Sequence, residues 1–434
     1  MDQQVHFERN TFTKVFKYSI VFLLLLVAFR TLIKFPFKAV YFQAEFVFEI
    51  FLILFLFVYC MDKIFTKKRF QLFEIFLLLI LLAPFYSGLL AQFRFNQPIG
   101  YGILAQRSYI LSVCGLLLYY LLKIKFIFYE DLKKIFLLTS WFCLISYLLL
   151  VVLIPKDYMD NSIVSFNESK GGEVYRFDVA ILVLGFFFYF ISGIKQNNSK
   201  HLIYAAIFIA YIIFFHKGRG LLLSIIGSLM LFFTLRVSLV KKVKYTFYAI
   251  IILIVSFVSV RVIFPDLLDG YVKSYSNLLD VVSGKSTGEA SADSRIFQVA
   301  LVQDYWKGDL SKIIFGSGTL SNQWNGGFKK QLGYFYYVDI GWYGIVFVFG
   351  IVGLIIFKLQ YVLFVKYFKA IKKLQPVEDN FLTALKYYLL FVFFKSFMNG
   401  EDTFEIQENF LIMCICAFVL TSEKSNNPTL QPVQ

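Results

Sequence analysis

Long apolar runs separated by short polar connections recur along almost the whole chain. Twelve of them are long enough to cross a bilayer as helices, with cores near 15–33, 41–60, 71–90, 104–122, 135–154, 177–194, 201–216, 220–235, 246–264, 336–357, 382–397 and 409–421. The runs are continuously apolar rather than alternating, which predicts helices and not strands of a barrel. The first run is followed by no small-residue cleavage site, so it reads as a retained helix. Between the seventh and eighth runs stands His216-Lys217-Gly218-Arg219-Gly220. Two glycines in five residues predict a turn joining two spans there, in preference to one long span with buried charge.

Composition agrees with that pattern. Apolar residues make up 59% of the 434 residues and charged ones 16%, with 55 Phe and a mean hydropathy of +0.69. Soluble domains lie near ~45–50% apolar and ~25% charged, so a secreted enzyme and a coiled coil are both excluded. The net charge of +15 is spread in short clusters without interleaved aromatics, which speaks against nucleic acid. None of the five cysteines (Cys60, Cys114, Cys143, Cys414, Cys416) falls in a long polar loop, so no disulfide framework or thiolate metal site is expected.

The basic clusters orient the chain. An even number of spans puts both termini on one side, and the segments at 63–69, 123–134, 195–200, 236–244 and 358–373 carry clusters of lysine and arginine, whereas the short connections between them on the other side carry fewer. By the positive-inside rule that side is the cytoplasm. The expected fold is therefore an all-α polytopic membrane protein of about twelve transmembrane helices in three parts. Residues 1–264 carry nine spans, 265–335 form a large outer loop, and 336–434 carry three more spans and a cytoplasmic tail. The large loop balances seven basic against seven acidic residues, so anion binding there depends on placed side chains. Inside it a helix is expected over about 292–307, capped by Ser291, with Phe297, Ala300, Leu301 and Tyr305 on one face and Val302 and Trp306 beside it, suited to lie on the bilayer surface or to close over a cavity.

Candidate chemistry gathers on the outer side. Arg219 borders an apolar stretch, where an arginine is costly unless it meets a cavity, a partner or lipid phosphates. Its planar fork suits phosphate oxygens, and the flanking glycines allow close backbone approach. Lys217 and His216 stand beside it, the histidine either as a proton carrier or as a polar cap. Arg176, Arg261 and Arg295 reach the same side, Arg295 either over a cavity or paired with Asp293 or Glu289. Asp339, just inside the tenth expected span, needs a partner if buried. Glu401, Asp402, Glu405 and Glu408 crowd the last outer connection next to Lys395, as a solvated loop or as part of a site. Glu45 and Glu49 are expected to pair with Arg30 or Lys34. No Walker loop, zinc-protease helix, acidic sugar-nucleotide pair or compact His/carboxylate set at metal spacing occurs in the sequence, so no cofactor is expected. Placed arginines without a nucleotide site suit a lipid-linked diphosphate.

The order of these motifs resembles bacterial O-antigen or capsule repeat-unit polymerases (the Wzy type), in the superfamily that includes O-antigen ligases. The resemblance is carried by the 216–220 turn, Ser294-Arg295, Ile314-Phe315-Gly316-Ser317-Gly318, Asp339-Ile340-Gly341 and Gly350-Ile351-Val352-Gly353, and covers about 200–357. It implies a GT-C-like glycosyltransferase of the bacterial inner membrane, facing the periplasm. Such an enzyme moves a growing glycan from undecaprenyl diphosphate to the non-reducing end of an incoming lipid-linked unit. By motif position, Arg219 and Arg295 would contact the diphosphate. Asp339, Glu289, Asp293, Glu401, Asp402, Glu405 and Glu408 remain open as the base, and Glu289, Asp293, Glu401 and Asp402 also as glycan contacts. Implied partners are undecaprenyl-diphosphate-linked oligosaccharides, membrane lipids, and a chain-length regulator and flippase of the same pathway. The related ligases use a loop histidine that this loop lacks. A ligase acting on lipid A core or protein, and a lipid-linked oligosaccharide flippase, are the rival readings.

Overall fold

A computed structural model describes residues 2–31, 38–155, 159, 163–167, 172–236, 290–333, 335–375 and 379–426. Arg261, Glu289, Lys34, the expected span at 246–264 and residues 265–289 of the long loop lie outside the described residues. The rest is almost wholly helical: α1 (Asp2–Ala28), α2 (Lys38–Phe65), α3 (Leu72–Phe95), α4 (Ile99–Ala105), α5 (Val113–Lys123), α6 (Tyr129–Leu153), α7 (Ala180–Gln196), α8 (Ser199–Tyr211) and α9 (Arg219–Arg236). After the large loop's α10 (Ala290–Trp306), α11 (Leu310–Phe315) and α12 (Gly327–Leu332) come α13 (Trp342–Leu374), α14 (Asn380–Ser396), the short α15 (Glu401–Phe404) and α16 (Gln407–Asn426). A two-stranded antiparallel hairpin, β1 (Val164–Asn167) and β2 (Gly172–Tyr175), sits in the 156–176 connection with Val164 opposite Tyr175.

Among the described residues, five helices are long and apolar enough to cross a membrane: Gln43–Phe65, Leu72–Phe95, Tyr129–Leu153, Ser199–His216 and Trp342–Leu374. A sixth crossing results if Ile99–Ala105 and Arg107–Lys123, bent by 48°, are one broken span. Ala180–Gln196 and Arg219–Leu235 are apolar but shorter. The chain is thus a polytopic helical protein, with five or six long spans among the described residues, which leave out the apolar run at 246–264. Along α2, Val47, Phe51, Leu54, Phe57 and Val58 are all exposed, a surface compatible with lipid and costly in water.

The expected turn at 216–220 is present. α8 widens into a π-helical turn over Ile212–His216, Lys217 adopts the left-handed conformation (φ +52°), and α9 begins at Arg219. The loop helix also forms, though Ser291 lies inside its first turn rather than ahead of it. Of the face expected to be apolar, Leu301 and Tyr305 are half-buried against the core. Gln298 and Val302 are buried, whereas Phe297 is 57% exposed and Ala300 is exposed too. Polarity does not keep Gln298 out, because its side chain accepts a hydrogen bond from the Tyr336 N–H at 2.7 Å.

The loop is fastened to the bundle by backbone contact at a break in α13. Gly350 sits at φ +71° inside that helix and interrupts its ladder, which leaves carbonyls of the preceding turn in need of donors. The loop supplies them: Ser317 N–H donates to the Phe347 carbonyl (2.8 Å) and Gly318 N–H to that of Val348 (2.9 Å). Side chains are excluded at this crossing. A Cβ on Gly350 would stand 2.1 Å from the Ile314 oxygen, and one on Gly318 2.2 Å from that of Ser87 in α3. Gln97 clamps the next residues, donating to the Thr319 carbonyl (3.0 Å) and accepting from Ser321 N–H (2.7 Å). Phe95, Phe328, Phe335 and Phe347 pack edge to face around the joint.

Candidate functional site

At the end of α14 the chain turns back into the protein instead of crossing water. Gly400 N–H donates to the Val338 carbonyl (2.7 Å), and Trp342 stacks on Phe397 with ring centroids 4.5 Å apart. The expectation of a solvated acidic loop is thereby corrected: Asp402 is 3% exposed and Glu408 9%. Hydrogen-bonding partners stabilise these acids inside. Asp402 pairs with Lys358 of α13 at 2.5 Å and accepts from the Tyr361 hydroxyl at 2.8 Å. Lys358, which sequence position assigns to the cytoplasmic cluster, therefore belongs to the interior around the last outer connection. Tyr388 donates to Glu408 at 2.7 Å, and Lys395 pairs with Glu401.

These acids line a small cavity of about 30 Å³, together with Asp178, Glu405, Asn399, Lys395 and Asn409. Asp178 comes from the far side of the sequence, where its carboxylate also accepts from Ala180 N–H (2.9 Å) at the start of α7. Carboxylate oxygens of Asp178, Glu405 and Glu408 all lie within 4.8 Å of one another. Three anions at that spacing repel unless protons or cations intervene. Burial and the charges of Glu401 and Asp178 push the Glu405 carboxyl above its ordinary range, against the opposing Arg30 and Lys395. The same three residues are the set that could hold a hard divalent cation. Sequence spacing shows no such set because Asp178 and the other two are brought together only by folding.

A chain of ion pairs leads away from the cavity. Arg30 lies 3.8 Å from Glu405 and 3.3 Å from Glu45, and Arg107 lies 3.7 Å from Glu45 and 3.4 Å from Glu49. The expected Arg30–Glu45 pair is present. Glu49 instead finds Arg107, a residue with no signal in the sequence beyond its charge.

Asp339 lies beside this region, in a 3₁₀ turn over Tyr337–Ile340. It is therefore ahead of the helix rather than inside the expected tenth span. Gly341, at φ +55° against the Phe397 carbonyl, separates the turn from α13. The carboxyl is open to solvent yet surrounded by protein, and this crowding raises its pKa; Arg295 opposes the rise, Glu401 adds to it and Arg176 opposes it. Arg295, Arg176 and Glu401 thus act on one carboxylate, although they come from α10, the segment after β2, and α15. Both arginines are exposed. Arg219 opens α9 next to Gly220, where a Cβ would stand 3.0 Å from Met398, and Leu221 lines the acidic cavity itself.

Three further candidates flank Arg219 and Arg295 in sequence. Lys217 is 5% exposed; burial lowers its pKa and the nearby Glu173 charge of β2 opposes that, so it faces the hairpin. His216 folds back over Gly218, whose Cβ would meet the ring at 2.7 Å. Asp293 is half-buried two residues before Arg295. Asp178, Lys358, Lys395 and Asn409 are site residues that sequence reasoning did not single out. The available signal was slight: an aspartate two residues ahead of an apolar run, and single polar residues within apolar ones. Neither a protein-family profile nor a curated protein matches the chain.

Proposed function

We propose that the protein is an integral-membrane glycosyltransferase that polymerises oligosaccharide repeat units carried on a polyprenyl diphosphate. The observation that carries this reading is the gathering of Arg295, Arg176 and Glu401 around Asp339, next to a cavity lined by five carboxylates and by the first turn of α9. In this reading Arg219 and Arg295 hold the donor diphosphate. Their guanidinium groups stabilise the charge that grows on it as the glycosyl bond breaks. Asp339, whose proton affinity is raised by its surroundings, takes the proton of the incoming sugar hydroxyl. The lipid tail remains in the bilayer while the head group reaches the polar region at the outer membrane face. A large loop seated by backbone contacts suits this task, since a rigid joint fixes Arg295 relative to α13.

The test is purified protein incubated with synthetic diphosphate-linked repeat units. A progressive ladder of products is expected, and Arg219→Ala and Arg295→Ala should each slow it by at least about a hundredfold at unchanged protein level. A single transfer to a different acceptor would point to a ligase. Transport without new glycosidic bonds would point to a flippase. Full-length ladders at normal rate from both variants would remove the assigned roles.

A further inference from the structure

Helices α13 and α14 are consecutive but belong to different parts of the bundle. α13 packs on α16 and α3, and α14 on α7 and α9. They touch through Trp342 on Phe397 and Tyr361 on Phe393. Beyond these contacts a cavity of about 450 Å³ opens between them. Its walls are apolar, with Phe364 and Phe368 from α13 facing Leu389 and Leu390 from α14. Tyr361 closes one end, its hydroxyl held by Asp402. Three lysines, Lys369, Lys372 and Lys386, line the slot and mark its other end, near the 375–379 connection.

The dimensions and charge together specify an occupant. From Tyr361 to Lys372 the helix rises by roughly 17 Å at ~1.5 Å per residue. One leaflet of hydrocarbon is about 15 Å deep, half of a ~30 Å core. An apolar slot one leaflet deep with lysines at its mouth matches one acyl chain below one anionic head group. Basic pockets between transmembrane helices bind anionic lipids in this way. We propose that this groove is a specific site for an anionic phospholipid, with an acyl chain between α13 and α14 and its phosphate at Lys369, Lys372 and Lys386. The proposal is independent of the transferase reading, because the lysines lie at the opposite end of α13 from Asp339.

The full-length protein in phosphatidylcholine nanodiscs, doped with spin-labelled lipid, tests it. Spin-labelled phosphatidylglycerol should be immobilised at least about fivefold more strongly than spin-labelled phosphatidylcholine of the same chain length, the worth of one lysine against an anionic surface. Raised salt should reduce the difference. The K369Q/K372Q/K386Q variant should bring the ratio close to one, and Leu389→Trp, which fills the slot and keeps the charges, should release the labelled chain. Equal immobilisation of the two labels by the unaltered protein, which needs no variant to fold, overturns the proposal. So does an undiminished preference in the triple variant. Stronger immobilisation of a spin-labelled polyprenyl phosphate than of phosphatidylglycerol also overturns it, and assigns the groove to an isoprenoid.

Discussion

Asp339 is the residue on which opposing forces meet most openly. Crowding by protein raises its pKa, while Arg295 and Arg176 stabilise the charged form. Removing one arginine must therefore raise the pKa further. In a pH–rate profile of the polymerisation assay, Arg295→Gln should move the limb governed by Asp339 to higher pH, whether that carboxyl acts as base or acid. A limb that stays in place, or moves to lower pH, would show that Arg295 does not act on the titrating group. Glu405 makes the complementary case for stability. Its carboxyl is pushed above the ordinary 4.5, so ionisation costs more in the folded protein than in the unfolded chain. The stability associated with its protonated form is present below pH 4.5 and falls as pH rises towards the folded value. Glu405→Gln should consequently raise the thermal midpoint at pH 8 relative to the unaltered protein, with the gain shrinking as pH approaches 4.5.

Elements hold the site through two devices that substitutions can separate. The first is the Lys358–Asp402 pair between α13 and α15, with the carboxylate buried and the lysine largely so. Breaking one side leaves an uncompensated charge, at a cost of about 3–5 kcal/mol, whereas replacing both by uncharged groups is far less damaging. Lys358→Met should lower the thermal midpoint sharply, and Lys358→Met with Asp402→Asn should restore most of it. The second device is the crossing of the large loop over the broken turn of α13. Gly350→Ala imposes a side chain at φ +71° and 2.1 Å from the Ile314 oxygen, so folded protein should disappear from a size-exclusion profile. Gly100→Ala in α4, with nothing within 4 Å of the added atom, should leave that profile unchanged. Equal behaviour of the two variants would remove the joint from its structural role.

For the whole molecule, the proposed topology places the basic clusters and the site on opposite faces of the membrane. Cysteines introduced at Arg176 and Gln331, both exposed, should react with an impermeant maleimide from the side opposite to cysteines at Lys67 and Lys373, also exposed. The half-buried Cys60 is replaced by Ser beforehand, and the other four, Cys114, Cys143, Cys414 and Cys416, are buried. Labelling of all four positions from one side would overturn the arrangement. Membrane residence, helical class, the 216–220 break and the loop helix were legible in the sequence, because each rests on local signals: apolar runs, paired glycines and a polar-to-apolar transition. Arg295 and Asp339 were candidates from the sequence by their positions, one at the start of the loop helix and the other at the start of an apolar run, and the structure places their charges within reach of each other. The sequence could not reveal that Asp178 joins Glu405 and Glu408, that Lys358 neutralises Asp402, or that Gln298 is buried. Burial of a polar or charged group depends on its neighbours, and these lie 38 to more than 200 residues away along the chain. Apolar patterning decides that a segment leaves water. Which polar groups accompany it is decided only when tertiary packing brings their counter-charges and hydrogen-bond partners within reach.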